Sequence, residues 1–143
     1  MSTLDSLIRL HRWQVDEQRR CVADLEQLAE KLRDDLRRLE TEQASEQEVV
    51  RSAPELASSY GSYAGALAER RRNLLQSLAD AERRLGEARE SLAAAYQEAK
   101  RYEIAAARRR LQHRREVERA DQANMDELGT AIHRRRAGSS AGR

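Results

Sequence analysis

Apolar residues recur every seven positions along the first third of the chain, in two rows. The rows are Ile8, Val15, Val22, Ala29, Leu36, Gln43, Val50 and Leu4, His11, Gln18, Leu25, Leu32, Leu39, Glu46. Ten of these fourteen positions are apolar, whereas the positions between them are mostly Arg, Glu, Asp and Gln. Two such rows form the seam of a left-handed coiled coil. The pattern therefore predicts one helix over about residues 3–51.

The same spacing resumes in the second half of the chain. The rows are Tyr60, Leu67, Leu74, Ala81, Ala88, Ala95, Tyr102 and Ala64, Arg71, Leu78, Leu85, Leu92, Ala99, Ala106. Thirteen of these fourteen positions are apolar. We predict a second, longer helix over about residues 57–136. Neither helix could bury its apolar stripe alone.

The stretch RSAPELASSYGSYAG, residues 51–65, separates the two patterns and contains the only proline. Pro54 lacks an N–H and biases Ala53 away from helical angles, so the first helix should end here. A turn over about residues 52–56 makes the helices antiparallel neighbours. The predicted fold is an all-α antiparallel coiled-coil hairpin, with Val50 near Ser59 and Leu4 near Ala105.

Beyond Ala106 the seven-residue pattern slips and thins. Its apolar members are Ile104, Ala107, Leu111, Val117, Met125, Leu128 and Ile132. A change of phase alters the winding of a coiled coil, and it falls where the first helix runs out. We predict that residues 107–136, the overhang, have no partner in the hairpin. The small, polar residues 137–143 are predicted to be a disordered tail.

Composition supports an elongated coiled coil over a compact globule. The 143 residues are 36% charged and 3% aromatic, with no Phe, which leaves little material for a wide core. The 27 basic and 25 acidic residues nearly cancel, so the +2 net charge does not by itself indicate nucleic-acid binding.

Localisation follows from what the sequence lacks. Cys21 is the only cysteine and cannot form a disulfide within the chain. The opening MSTLDSLIRLHRW has neither the basic start nor the apolar run of a signal peptide. No segment approaches the roughly 18 apolar residues of a membrane span. We expect a cytoplasmic protein that reaches a membrane only through partners.

No pattern in the sequence points to catalysis, a cofactor or a metal. His11, His113 and His133 are far apart and have no zinc-ligand spacing. His11 falls in the seam, where a polar residue commonly sets register. Gly61 and Gly65 are not followed by the Lys and Ser or Thr of a phosphate-binding loop. We therefore expect a non-enzymatic protein.

Three apolar side chains fall outside the seam. Trp13 lies on the outward face, Tyr63 flanks the seam near the turn, and Ile104 points outward if the first register persists. Tryptophan is enriched in binding hot spots, but an exposed Trp can also lie across its neighbours. A third helix packing alongside would explain all three equally well.

The overhang carries clustered arginines at Arg108, Arg109, Arg110, Arg114, Arg115, Arg119 and 134–136. One interpretation is a solvated helix whose Glu and Asp residues pair with these arginines. Nucleic-acid binding would need a one-sided basic face, ideally with stacking aromatics, and no aromatic follows Tyr102. A helix that docks into an acidic protein channel fits better.

Three segments resemble the FliJ family of flagellar export chaperones, and more distantly its stalk counterparts in virulence-type type III secretion. They are the opening LDSLIRLHRWQVDEQRR, the mid-chain SYGSYAGAL and the closing ERADQANMDELGTAIHRR, and the resemblance covers nearly the whole chain. The resemblance implies a two-helix coiled coil similar to the central stalk of rotary F-type ATPases. It also implies insertion into the hexameric export ATPase FliI, contact with the linker of the membrane export gate FlhA, and escort of export chaperones.

The resemblance also implies where the partners bind. Tyr60, Tyr63 and Leu67 match the gate-contacting surface of the family, although Arg70 and Arg71 follow and the first helix lacks the family's tyrosines. The ATPase ring would take the arginines 108–110, Arg114, Arg115 and Arg119. We would then expect the protein at the flagellar base, on the cytoplasmic side. The competing hypotheses are a scaffolding coiled coil without ATPase coupling and, less favoured, a nucleic-acid-binding basic helix.

Overall fold

A computed structural model describes residues 2–141. It contains two α-helices, α1 at Thr3–Ser52 and α2 at Ala57–Ala141, separated by a 3₁₀ turn at Pro54–Leu56. No strand occurs in this described part of the chain. The predicted all-α fold is confirmed, with the second helix the longer. The first helix ends one residue later than predicted and the second begins at the predicted position.

The C-terminal end of α2 differs from the prediction. The helix continues through residues 137–141, where the small, polar sequence predicts a disordered tail. Adding a residue to a helix that is already nucleated is far easier than starting one, so a long helix can extend through weak helix formers. The last two residues of the predicted tail, Gly142 and Arg143, lie outside the described residues.

A capping box begins α1. The Asp5 backbone N–H donates to the Ser2 hydroxyl at 3.2 Å, and the Asp5 carboxylate accepts from the Ser2 backbone N–H at 3.3 Å and from the Ser2 hydroxyl at 2.9 Å. This arrangement satisfies backbone donors that a helix start would leave unpaired. The hydrogen bond from the Ser2 side chain is the main reason that the pKa of Asp5 is lowered. The acidic residue three positions after a serine is a recognisable signal that the heptad pattern does not use.

The turn has the local geometry that proline imposes. Ala53, directly before Pro54, leaves the helical region with φ of −133° and ψ of 78°. Its own N–H still donates to the Val49 carbonyl at 2.9 Å, and the Leu56 N–H donates to the Ala53 carbonyl at 3.0 Å. The chain therefore reverses over a few residues, without a positive φ in the described part.

The described chain divides into two compact units, one of residues 9–99 and one that combines the residues up to Ile8 with those from Lys100 onward. Within residues 9–99, α1 and α2 run antiparallel. Glu26 pairs with Arg89 at 3.2 Å, and one heptad further along α1, Arg33 pairs with Glu82 at 3.1 Å. The residue number of the partner on α2 falls as the number on α1 rises, so the two helices form an antiparallel coiled coil.

Contacts on the two flanks of this coiled coil fix its register. In an antiparallel pair, each step forward along α1 is matched by one step back along α2. Leu36 is three residues after Arg33, which pairs with Glu82, so this pair places it opposite a residue near 79. Counting from the contact between Glu42 and Tyr63 on the other flank, it would face a residue near 69. The seam lies midway between the flanks, so Leu36 faces about Leu74. This register agrees to within about one residue with the one that a turn at Pro54 predicts.

Burial follows the predicted seam. The ten apolar residues that are buried in the described part of the chain all lie on the predicted rows: Ile8, Val15, Ala29, Leu39, Leu67, Ala81, Leu85, Ala88, Ala99 and Ala106. Of the other seam positions only Arg71 is exposed, and its guanidinium reaches Glu40 at 3.6 Å. Five of the ten are alanines, whose small side chains let paired helices approach closely. The seam is a single narrow stripe.

In the unit that contains the chain ends, packing stops where the overhang begins. Ile8 and Ala106 are buried, whereas every residue from Ala107 to Ser140 is exposed. The predicted absence of a hairpin partner for residues 107–136 is confirmed. Neither helix of the described chain is both long and apolar enough to cross a lipid bilayer.

Candidate partner-binding surfaces

Tyr63 joins the two helices near the turn. Its hydroxyl donates a hydrogen bond to the Glu42 carboxylate on α1, and its half-buried ring lies 6.4 Å from that of Tyr60 at an interplanar angle of 51°. The hydrogen bond to Glu42, then burial and the nearby carboxylate charges, raise the pKa of Tyr63 to about 12. The hydroxyl stays protonated, and therefore a donor, throughout the neutral pH range.

This contact gives a pH-dependent expectation. Because the folded pKa lies above the ordinary value of 10.0, the contact stabilises the hairpin below about pH 10 and is lost as pH rises through 12. In a tyrosinate absorbance titration we expect a step near pH 12 that Tyr63→Phe removes. Glu42→Ala should move that step back toward 10. A Tyr63 step unaffected by Glu42→Ala would show that the contact does not form in solution.

The structure separates the three residues predicted to contact the gate. Leu67 is only 5% exposed and packs in the seam, so it is not presented to a partner while the helices are paired. Tyr60 is half-buried in the seam, as its place in the heptad row predicts. Tyr63 alone lies outside the seam, and a role in gate binding stays a prediction for all three.

The glycines beside Tyr63 provide open space, but on another face. A Cβ placed on Gly61 or Gly65 would meet no atom within 4 Å. Residues two apart in a helix lie on nearly opposite sides of it, so this space is not next to the Tyr63 ring. A partner that contacts Tyr63 therefore does not gain its access from these glycines.

A row of residues flanks the seam beside Tyr63 and continues across the turn at seven-residue spacing. It contains Glu42 and Val49 on α1, Leu56 at the end of the 3₁₀ turn and Tyr63 on α2, and we call it the turn flank. Val49 is 47% exposed and Leu56 44%. The ion pairs Glu26–Arg89 and Arg33–Glu82 close the opposite flank. Val49 and Leu56 were not predicted from the sequence, although their seven-residue spacing from Tyr63 was a usable signal.

The overhang exposes its arginines without neutralising them. No ion pair involves Arg114, Arg115 or Arg119 among the described residues. Nine arginines face five acidic residues in the overhang, a net charge of +4 with histidines neutral. The interpretation in which internal carboxylates pair with the arginines therefore finds no support in the described contacts.

Helical geometry brings together only part of the predicted arginine set. Arg108, Arg115 and Arg119 line one shallow surface depression together with Leu111 and Gln112; Glu116 also lines it. Arg109 lies about 100° around the helix from Arg108 and does not line that depression. The structure thus singles out a basic face with an apolar residue in its middle.

A family model described as Flagellar FliJ protein matches residues 1–138. The chain belongs to the FliJ family. Searches of the curated proteins and of the solved structures returned no significant match. Membership of the FliJ family supports a role in flagellar protein export by type III secretion. The two-helix coiled coil is consistent with this role.

Trp13 is a further exposed feature of this FliJ-family chain. Its side chain is 60% exposed, and Leu10, three residues earlier on the same face of α1, is 48% exposed. The predicted outward position of Trp13 is confirmed, as is that of Ile104, which is 52% exposed. That Trp13 binds a partner stays a prediction.

Proposed function

We propose that this chain is a stalk that couples the hexameric export ATPase FliI to the linker of the export gate FlhA. It would act at the flagellar base, on the cytoplasmic side of the membrane, and assist delivery of export chaperones with their clients. The observation that carries the proposal is that the single helix α2 bears both the Tyr63 contact near its start and the unneutralised arginines of the overhang.

The overhang supplies the ATPase contact. Its arginines are exposed and carry no compensating ion pairs, so they can meet carboxylates lining a channel without first breaking contacts within the chain. Leu111 and Val117 add exposed apolar surface between them. A stalk needs no reactive group, because it acts by binding some ring conformations more tightly than others and thereby shifting their populations.

Charge reversal of the overhang tests this contact. We expect Arg114→Glu, Arg115→Glu and Arg119→Glu together to reduce ATPase activation and to weaken association with FliI. Helix content should hardly change, since all three side chains are exposed. Wild-type association should weaken as salt rises, because exposed ion pairs are screened. Measurements are ATP hydrolysis and equilibrium binding at two salt concentrations.

The matched control reverses three exposed arginines elsewhere, with Arg19→Glu, Arg38→Glu and Arg72→Glu. It changes the net charge equally but leaves the overhang intact, and should activate like the wild type. Full activation by the overhang variant would remove these arginines from the mechanism. Loss of activation in both variants would point to net charge alone.

The turn flank supplies the gate contact. We expect Tyr63→Ala to weaken binding of the FlhA linker by about 1 to 3 kcal/mol, as for a typical interface hot spot. Tyrosine offers a large contact area with few rotatable bonds. Tyr63→Phe keeps the ring but loses the hydrogen bond to Glu42, and so separates ring contact from that contact. The measurement is titration calorimetry with a linker peptide, alongside a melting curve for each variant.

Native affinity in the Tyr63→Ala variant would confine Tyr63 to a structural role. Weak binding of Tyr63→Phe and Tyr63→Ala alike would assign the effect to the hydroxyl and Glu42. Leu67→Ala is a poor substitute test because Leu67 is buried in the seam, so its replacement would confound folding with binding.

A further inference from the structure

Charge is divided unevenly between the turn region and the overhang. Residues 40–69 contain six glutamates and a single basic residue, Arg51. The overhang, in contrast, has a net charge of +4. Arg51 already pairs with Glu48 at 3.2 Å, and Glu40 pairs at 3.6 Å with Arg71, just beyond this range, whereas Glu46, Glu55 and Glu69 form no ion pair among the described residues. The chain thus carries two oppositely charged regions whose charges are largely unmatched within it.

The two regions also share one spacing. On α1, Glu42, Glu46 and Val49 stand at positions i, i+4 and i+7, which places them on one face of the helix. In the overhang, Arg110, Arg114 and Val117 stand at the same spacing. Val49 and Val117 are 47% and 44% exposed.

We propose that the overhang of a second copy of this chain docks on the turn flank, running parallel to α1. Arg110 of the second copy would meet Glu42, its Arg114 would reach the half-buried Glu46 at the adjoining edge of the seam, and its Val117 would meet Val49. Tyr63 does not block this pairing, because a carboxylate has lone pairs for a second donor beyond the hydroxyl that Glu42 already accepts.

Reciprocal docking closes the pair as a dimer. Each copy offers one flank and one overhang, and the proposed dimer uses both of each, which leaves none open for further copies. Exposed ion pairs contribute little singly, but the four in this dimer act together with two valine contacts. The dimer should therefore be salt-sensitive and in equilibrium with the monomer.

A consequence for regulation rests on the function proposed above. The dimer covers Glu42 beside Tyr63 and the arginines of the overhang, which are the surfaces assigned to the gate and to the ATPase. A free chain would thus be held away from both partners until one of them displaces the second copy. The dimer itself requires neither partner, so it can be tested without them.

The test is a charge-swap experiment on the purified full-length chain. One variant carries Glu42→Arg and Glu46→Arg; the other carries Arg110→Glu and Arg114→Glu. Each variant alone sets like charges against each other at both contacts and should run as a monomer of 16.4 kDa. An equal mixture restores opposite charges at both contacts, and we expect a heterodimer of twice that mass by light scattering or sedimentation.

The wild-type chain should dimerise in about 0.02 M salt and dissociate in about 0.5 M, where screening is nearly complete over a few ångströms. A control with Asp24→Arg and Glu90→Arg adds the same charge as the flank variant and should dimerise like the wild type. Circular dichroism checks folding. If Glu46→Arg disturbs the half-buried seam, Glu42→Arg alone replaces it as the flank variant and is mixed with Arg110→Glu, the change at its proposed partner.

Three results would overturn the proposal. These are a wild-type chain that stays monomeric at low salt, a flank or overhang variant that dimerises alone, and a mixture of the two variants that does not associate. If the chain does not dimerise in these tests but still activates FliI, the dimer is refuted while the proposed function stands.

Discussion

Replacing Leu32 and Leu36 together with Asp is expected to unfold the coiled coil of residues 9–99. Both side chains are half-buried in the seam, where Leu36 faces about Leu74 and Leu32 about Leu78. Two unpaired carboxylates in a narrow apolar stripe should cost several kcal/mol, about the full stability of a small domain. Circular dichroism should show a large fall in melting temperature and in helicity at room temperature.

The control uses the same substitution at exposed leucines. Leu10→Asp with Leu28→Asp introduces two carboxylates on the same helix, α1, but outside the seam. That variant should melt close to the wild type. Equal melting of the seam variant and the control would refute the paired-helix structure, since only pairing distinguishes the two sets of positions.

Ending the chain at Ala107 is expected to abolish activation of the export ATPase while leaving the hairpin folded. The truncation removes the exposed overhang but retains every buried residue, the last of which is Ala106. Helix content per residue and the cooperative melt should stay close to those of the full chain. Loss of activation would then be assigned to the missing overhang and not to misfolding.

A chain ending at Ala137 is the matched control. It lacks only the small, polar residues after the overhang and should activate like the full chain. Activation by the Ala107 chain would instead place the ATPase contact on the hairpin. Trp13 and Leu10 would then be the first candidates, since they are exposed apolar residues on α1.

The seam could be predicted because heptad periodicity reports directly on which residues of a long helix are buried. Leu39, Ala81 and Ala106 lie on the predicted rows and are buried, whereas Ile104 lies off the rows and is exposed, as predicted. Register followed because Pro54 fixes the turn, and a short turn leaves little freedom in how antiparallel helices align.

Contacts outside the seam could not be predicted so well. The Tyr63–Glu42 hydrogen bond depends on register to the residue and on side-chain direction, neither of which periodicity supplies. For the same reason, the nearness of Gly61 and Gly65 to Tyr63 in the sequence does not mean that they share its face of the helix. Residues 137–141 are helical because they extend an existing helix, and local composition does not predict such an extension.

Partner-contacting residues are harder again. A single chain shows which side chains are exposed, as Trp13, Val49 and Val117 are, but exposure alone does not identify what covers them. The six arginines assigned to the ring illustrate the limit, since helical geometry groups Arg108, Arg115 and Arg119 but turns Arg109 away.

Simultaneous binding of both partners is the most direct test of coupling. The measurement is sedimentation velocity of the FliI hexamer with a fluorescent FlhA linker fragment, with and without this chain. We expect the linker to sediment with the hexamer only when the chain is present, and Tyr63→Ala or truncation at Ala107 to abolish this co-sedimentation. A linker that never sediments with the hexamer, or that displaces the chain from it, would contradict the account.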